Sequence, residues 1–202
     1  MSLGLDCFSN CTNMASTLKS KGYDFICRYY NVNNASKNLT QSEAKALSNA
    51  GLYIVAIWEN GYPTSDSYFS KSQGKTDGAK AYSYAKNTIG QPSGTPIYFA
   101  VDYDASTSAI QGAIKNYFDG VSEAFEEAGS NYVIGVYGSG AVCEYIFGHV
   151  AAVLYTWLAN ATGWSGYSDY TSWHIKQGSL ITINNVQFDK DTGSGDAGGF
   201  KI

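Results

Sequence analysis

Short apolar runs alternate with longer stretches of helical periodicity from one end of the chain to the other. Residues 3–8, 24–30, 52–58, 97–104, 132–137 and 153–159 read as strands, because each run is short and dense in β-branched or aromatic residues. Residues 11–21, 41–50, 78–89, 106–128 and 140–147 read as helices between them. The longest of these puts Ile110, Ile114, Phe118, Val121 and Phe125 on one stripe. Thr40 is placed to cap the second helix and Gly51 to close it, while Gly90 and Gly129 end two others. After the sixth strand the helical pattern stops. Residues 172–177 and 182–189 read as two closing strands joined by a short turn at Gly178-Ser179. The Gly- and Asp-rich stretch 192–199 reads as a loose tail.

Strands that alternate with helices pair in parallel through right-handed crossovers, which defines the α/β class. Eight strands with degenerate last helices predict a single-domain, modified (β/α)8 TIM-like barrel over residues 1–191, followed by a Gly-rich tail, 192–202. An open doubly wound sheet is the alternative. The lack of a glycine-rich phosphate turn after the first strand counts against it.

In such barrels chemistry sits at the C-terminal ends of the strands. The fourth run, Ile97-Tyr98-Phe99-Ala100-Val101-Asp102-Tyr103-Asp104, ends in two acids at alternate positions. As a continuous strand it would turn Asp102 and Asp104 to one side, with Ile97, Phe99, Val101 and Tyr103 facing the covering helices. Like charges held that close keep one carboxyl protonated, as acid/base chemistry requires. Other strand ends supply Asp6, Arg28, Trp58 or Glu59, Tyr137, Trp157, Gln177, Gln187 and Asp189. Parity does not choose between Trp58 and Glu59, and Arg28 is a partner for an acid.

Composition narrows the chemistry. The chain has 202 residues, a net charge of −4 and dispersed Lys and Arg, so it lacks the basic stripe of a nucleic-acid binder. No stretch reaches the length of a membrane span, and no cationic, apolar leader opens the sequence. The 17 Tyr, 9 Phe and 4 Trp, set among many Asn, Ser and Gly, suit sugar rings, whose C–H faces stack on aromatics while their hydroxyls hydrogen-bond. The four cysteines have no metal-ligand spacing and there are only two histidines, so no metal or cofactor is expected. Cys7 and Cys27 read as outward-facing buried thiols, with a Cys7–Cys11 disulfide as the alternative.

The segments Gly4-Leu5-Asp6, Arg28-Tyr29-Tyr30, Tyr98 to Asp104, Gly135-Val136-Tyr137-Gly138 and Gln187-Phe188-Asp189 together carry a resemblance. The chain resembles, over nearly its whole length, the bacterial glycoside hydrolase-like domains related to the glycoside hydrolase family 25 muramidases. That resemblance implies a modified β/α barrel acting on the glycan of peptidoglycan, through hydrolysis of β-1,4 bonds beside N-acetylated sugars. It implies catalytic roles for Asp104 (general acid), Asp102, Asp6 and Asp189. Asp104 stands where the muramidases have a Glu, a shorter reach for a proton donor. A catalytically inactive, glycan-binding barrel is therefore the competing expectation. Arg28, Glu59, Trp58, Tyr137, Trp157, Gln177 and Gln187 would hold the sugars. A muramidase works as an exported or phage-released protein, and a monomer is expected.

Overall fold

A computed structural model describes residues 1–202. Its strands are β1 (Ser2–Asp6), β2 (Phe25–Tyr30), β3 (Tyr53–Trp58), β4 (Pro96–Ala100), β5 (Val133–Gly138), β6 (Val153–Leu158), β7 (Ile175–Ile183) and β8 (Val186–Gly193). They close a barrel in sequence order. Neighbours from β1 to β7 run parallel, while β8 is antiparallel to both β7 and β1. The mixed α/β class and the eight-strand closure agree with the sequence pattern.

Helices occupy the first five connections. They are α1 (Ala15–Ser20), α2 (Gln41–Asn49), α3 (Lys71–Ser83) with a π-helical continuation Tyr84–Ile89, α4 (Thr107–Ala109), α5 (Lys115–Glu127) and α6 (Gly140–His149). A π-helical turn, Ile110–Ile114, makes α4 and α5 one continuous rod. Thr40 caps α2 by accepting from the Glu43 N–H at 3.2 Å, and Gly51 closes that end with a φ of 89°. No helix lies between β6 and β7 or between β7 and β8.

Side chains alternate across the strands, and the two faces build two cores. Phe25, Cys27, Val55, Ile57, Tyr98, Ala100, Trp157 and Ile175 fill the barrel interior. Leu5, Ile26, Ala56, Ile97, Phe99, Val136 and Phe188 face outward under the helices. Ile97, Phe99 and Val101 therefore lie where the fourth run predicted, whereas Cys27 points inward rather than outward.

Four boundaries differ most from the sequence pattern, each for a physical reason. β4 stops at Ala100 because the Asp102 N–H leaves the sheet for the Pro63 carbonyl, 2.9 Å away, and the Ala105 N–H turns back to Tyr103. The closing hairpin turns at Asn184-Asn185, not at Gly178-Ser179. Both asparagines have positive φ (49° and 65°), which suits a two-residue hairpin, and Gly178 lies within β7. α3 begins at Lys71, seven residues before its apolar pattern, because the buried face of its first half is made by Gly74, Asp77 and Gly78 rather than by large apolar residues. The stretch 192–199 is not a loose tail: Thr192 and Gly193 belong to β8, and the residues after them pack on the barrel. Phe200 exchanges two 2.8 Å backbone hydrogen bonds with Ile54, and Ala197 plugs the barrel floor beneath the Tyr98 hydroxyl.

The α3–α5 contact leaves no space for a methyl group. A Cβ on Gly74 would fall 1.9 Å from the Tyr117 carbonyl oxygen, and one on Gly120 would fall 2.2 Å from that of Lys71. Gly74→Ala is expected to destabilise the protein by about 1–3 kcal/mol through overpacking, despite the better helix propensity of alanine. Urea unfolding measures this. A variant as stable as the parent would show that the two helices separate freely.

Candidate active site

Convergence at the C-terminal mouth follows from strand parity. Asp6 ends β1 as an inward residue, Tyr29 and Tyr137 face inward one residue before the ends of β2 and β5, and Glu59 continues the inward row of Val55 and Ile57 just past β3. With Lys37, Ile57, Asp102, Trp157, Gln177 and Asp189 they line a cavity of about 330 Å³. A hollow of about 380 Å³ at the opposite end, between Asp24, Tyr53 and Asp196, gathers only two carboxyls.

Asp6 is 4% exposed and sits at the centre of the polar network. It accepts from Gln177 Nε2 at 2.9 Å, and Gln177 Oε1 accepts from the Tyr137 hydroxyl at 3.2 Å and the Asn160 N–H at 3.1 Å. One layer deeper lies Asp191, 1% exposed. It accepts from Trp157 Nε1 at 3.1 Å and from the Cys27 thiol at 3.7 Å. Burial raises the Asp6 pKa to about 7, Gln177 opposes the rise, and the negative charge of Asp189 adds to it. Burial likewise holds Asp191 well above the usual carboxylate range, with the charge of Asp6 adding. Two desolvated carboxyls in contact retain a proton between them.

Across the cavity Lys37 Nζ lies 2.5 Å from Glu59 Oε1 and 3.9 Å from the centre of the Tyr29 ring. Asp102 is half-buried, its pKa raised by burial and by the charge of Glu59, while Lys37 pulls it down. Asp189 is raised by burial alone. The mouth thus pairs a proton-holding centre (Asp6 with Asp191) with a charged rim (Lys37, Glu59, Asp102). Such a site can protonate a leaving group on one side and orient a water or a sugar substituent on the other.

Of the residues the sequence singled out, Asp6, Glu59, Asp102, Tyr137, Trp157, Gln177 and Asp189 meet here. Four do not. Asp104 is exposed on the loop beyond β4, where its carboxylate accepts from the Ser165 N–H at 2.8 Å. The premise that Asp102 and Asp104 share one strand face fails because the strand has already ended. Arg28 points out of the barrel and is fully buried against Glu43 of α2, with Nε to Oε1 at 2.7 Å and Nη2 to Oε2 at 3.2 Å. Trp58 also faces outward, into the core under the helices. Gln187 is exposed near the hairpin tip, opposite Thr182. Trp157, 1% exposed, forms the floor rather than an open platform.

Tyr29, Lys37 and Asp191 were missed. Asp191 was legible in principle, since it repeats the parity of Asp189 once β8 is extended to Gly193. Tyr29 follows from inward Cys27, but no sequence signal brings Lys37 from a loop.

A protein family described as "Rv2525c-like, glycoside hydrolase-like domain" matches residues 16–199. The uncharacterized protein FadG of Bacillus subtilis is 33% identical over 197 residues. The match takes in 91% of this chain and 34% of FadG, so the chain spans about a third of that relative. Among solved structures, the Tat-secreted protein Rv2525c of Mycobacterium tuberculosis, in complex with L-tartrate, superposes with a TM-score of 0.81 at 22% identity, over 98% of each chain. A muramidase from Trichobolus zukalii gives 0.60 at 15% identity, over 97% of this chain and 95% of the muramidase. The barrel is thus glycoside hydrolase-like and resembles that of muramidases.

Proposed function

Since this chain belongs to the Rv2525c-like glycoside hydrolase-like domain family, we propose that it hydrolyses the glycan strand of peptidoglycan at the barrel mouth, cleaving β-1,4 bonds beside N-acetylated sugars. One observation carries this reading: Asp6, Glu59, Asp102 and Asp189, from four different parts of the chain, converge on one aromatic-sided cavity. Asp6 serves as the proton donor, since its buried carboxyl keeps a proton near neutral pH. Asp102 orients the attacking water or the acetamide of the substrate. Asp189 and Gln177 bind ring hydroxyls, and the Tyr29 and Tyr137 rings border the sugar. Asp104 anchors the β6–β7 connection through Ser165. The helices form the outer ring of a reduced (β/α)8 barrel. The protein acts outside the membrane, as the secretion of Rv2525c supports, and it works as a monomer.

A positioned acid or base contributes roughly 10²–10⁴-fold to the rate. Asp102→Asn is expected to lower release of reducing ends from purified peptidoglycan on that scale, while Asp104→Asn keeps most of the activity. Mass spectrometry of the fragments identifies the bond cut. The reverse order of effects would return the donor role to Asp104. A second reading, a glycan-binding barrel without turnover, is favoured by one observation: the counterpart of the muramidase donor lies outside the cavity. It predicts that wild-type protein is retained on peptidoglycan and releases no reducing ends.

A further inference from the structure

The loop that follows Asp6 brings two cysteines together. Cys7 Sγ and Cys11 Sγ lie 3.0 Å apart, inside the roughly 3.5–4.0 Å at which non-bonded carbon atoms, smaller than sulfur, settle. Both thiols point at a single acceptor, the Ser9 carbonyl, at 3.1 and 3.4 Å. One carbonyl is the only other partner for two buried sulfurs, which makes the thiol state a poor use of the space.

The backbones of both cysteines are held by the buried ion pair described above. Arg28 Nη1 donates to the Cys7 carbonyl at 2.7 Å, and the Cys11 N–H donates to Glu43 Oε1 at 2.7 Å. Asn10 Nδ2 adds a bond to Glu43 Oε2 at 3.1 Å. The cation therefore fixes one cysteine and the anion the other. Closing the sulfurs to the ~2.05 Å of a disulfide needs a shift of about 1 Å, within side-chain adjustment. Chain entropy is already spent on the brace.

The other two cysteines have no such neighbour. Cys27 sits in the barrel interior on Asp191, and Cys143 donates to the Trp157 and Gly138 carbonyls at 3.5 and 3.8 Å. No third Cys, His, Asp or Glu joins Cys7 and Cys11 in a metal-binding group.

We infer that Cys7 and Cys11 form a disulfide that staples the loop leaving the active-site mouth, while Cys27 and Cys143 stay reduced. The co-reactant is a small-molecule disulfide. Its S–S bond is exchanged for the Cys7–Cys11 bond, it leaves as two thiols, and the protein gives up two hydrogens. Phe8, Ser9 and Asn10 are exposed, so the reaction proceeds while this loop is still open during folding. Once the loop closes, both sulfurs are buried and protected from reductant. The inference is independent of what the mouth binds.

The test is to refold the full chain in mixtures of oxidised and reduced glutathione, unfold it, block free thiols with a maleimide and weigh it. Two labels per chain and a proteolytic fragment linking Cys7 to Cys11 are expected, against four labels after reduction. Reduction should lower Tm by about 4–8 °C in the wild type, the scale for so short a loop, and leave Cys7→Ser/Cys11→Ser unmoved. The double variant also shows whether the fold survives without the sulfurs. Four labels at every glutathione ratio, separate glutathione adducts, or a link to Cys27 or Cys143 would overturn the inference.

Discussion

Replacing Asp6 with asparagine is expected to stabilise the protein near neutral pH and to abolish glycan cleavage. In the unfolded chain this carboxyl ionises near its ordinary 3.8, while in the fold burial holds it at about 7. Between those two values the native state binds a proton that the unfolded state has lost, so stability falls as pH rises. At 1.36 kcal/mol per pKa unit the loss is on the order of 4 kcal/mol, spread from about pH 4 to pH 7. Asp191, Asp102 and Asp189 are also raised and act with the same sign. Asparagine keeps a carbonyl oxygen for Gln177 and carries no charge, so it removes Asp6's share of that slope. Urea midpoints should coincide at about pH 4 and separate in favour of the variant towards pH 8. Parallel curves would mean that the Asp6 carboxyl is ionised at little cost. Turnover should drop by roughly 10²–10⁴-fold, because the amide has no proton to give at any of these pH values. A gain in stability with loss of activity is what a strained catalytic group produces.

Arg28→Met is expected to cost about 3–5 kcal/mol, because it leaves Glu43 charged, desolvated and without its partner. In a chain of this size that lowers Tm by about 6–20 °C. The second substitution, Glu43→Leu in the same chain, should recover much of the loss, since a buried ion pair replaced by apolar groups is often neutral. The pair also ties the loop after β1 to α2, so the double variant should still lose order at residues 7–11. Thermal melts of the two variants decide the matter. If Arg28 bound sugar instead, the single variant would melt like the wild type and lose only glycan binding.

The alternating strands and helices, the closure by eight strands and the outward row Ile97, Phe99 and Val101 were all legible from the order of apolar runs, because period 2 and period 3.6 are written locally. The convergence of Asp6 and Asp102 was legible as well, since they stand at or just beyond the C-terminal ends of β1 and β4 and barrels gather those ends at one mouth, whereas Asp189 reaches it from the middle of β8, which runs antiparallel to its neighbours. Parity, however, needs an anchor. On β2 the rows Phe25, Cys27, Tyr29 and Ile26, Arg28, Tyr30 are about equally apolar, and only the contact of Arg28 with Glu43 on α2 turned the second row outward. Asp104 left the site because a hydrogen bond from Asp102 to Pro63, a loop distant in sequence, ended β4 before the second acid. Lys37 and Asp191 joined the site through packing across the barrel. What local periodicity determined was the set of elements and the layer in which they lie. Which of two plausible faces looks inward, and where each strand lets go, was decided by contacts between segments far apart in the chain, because only those contacts satisfy buried charge and backbone polarity.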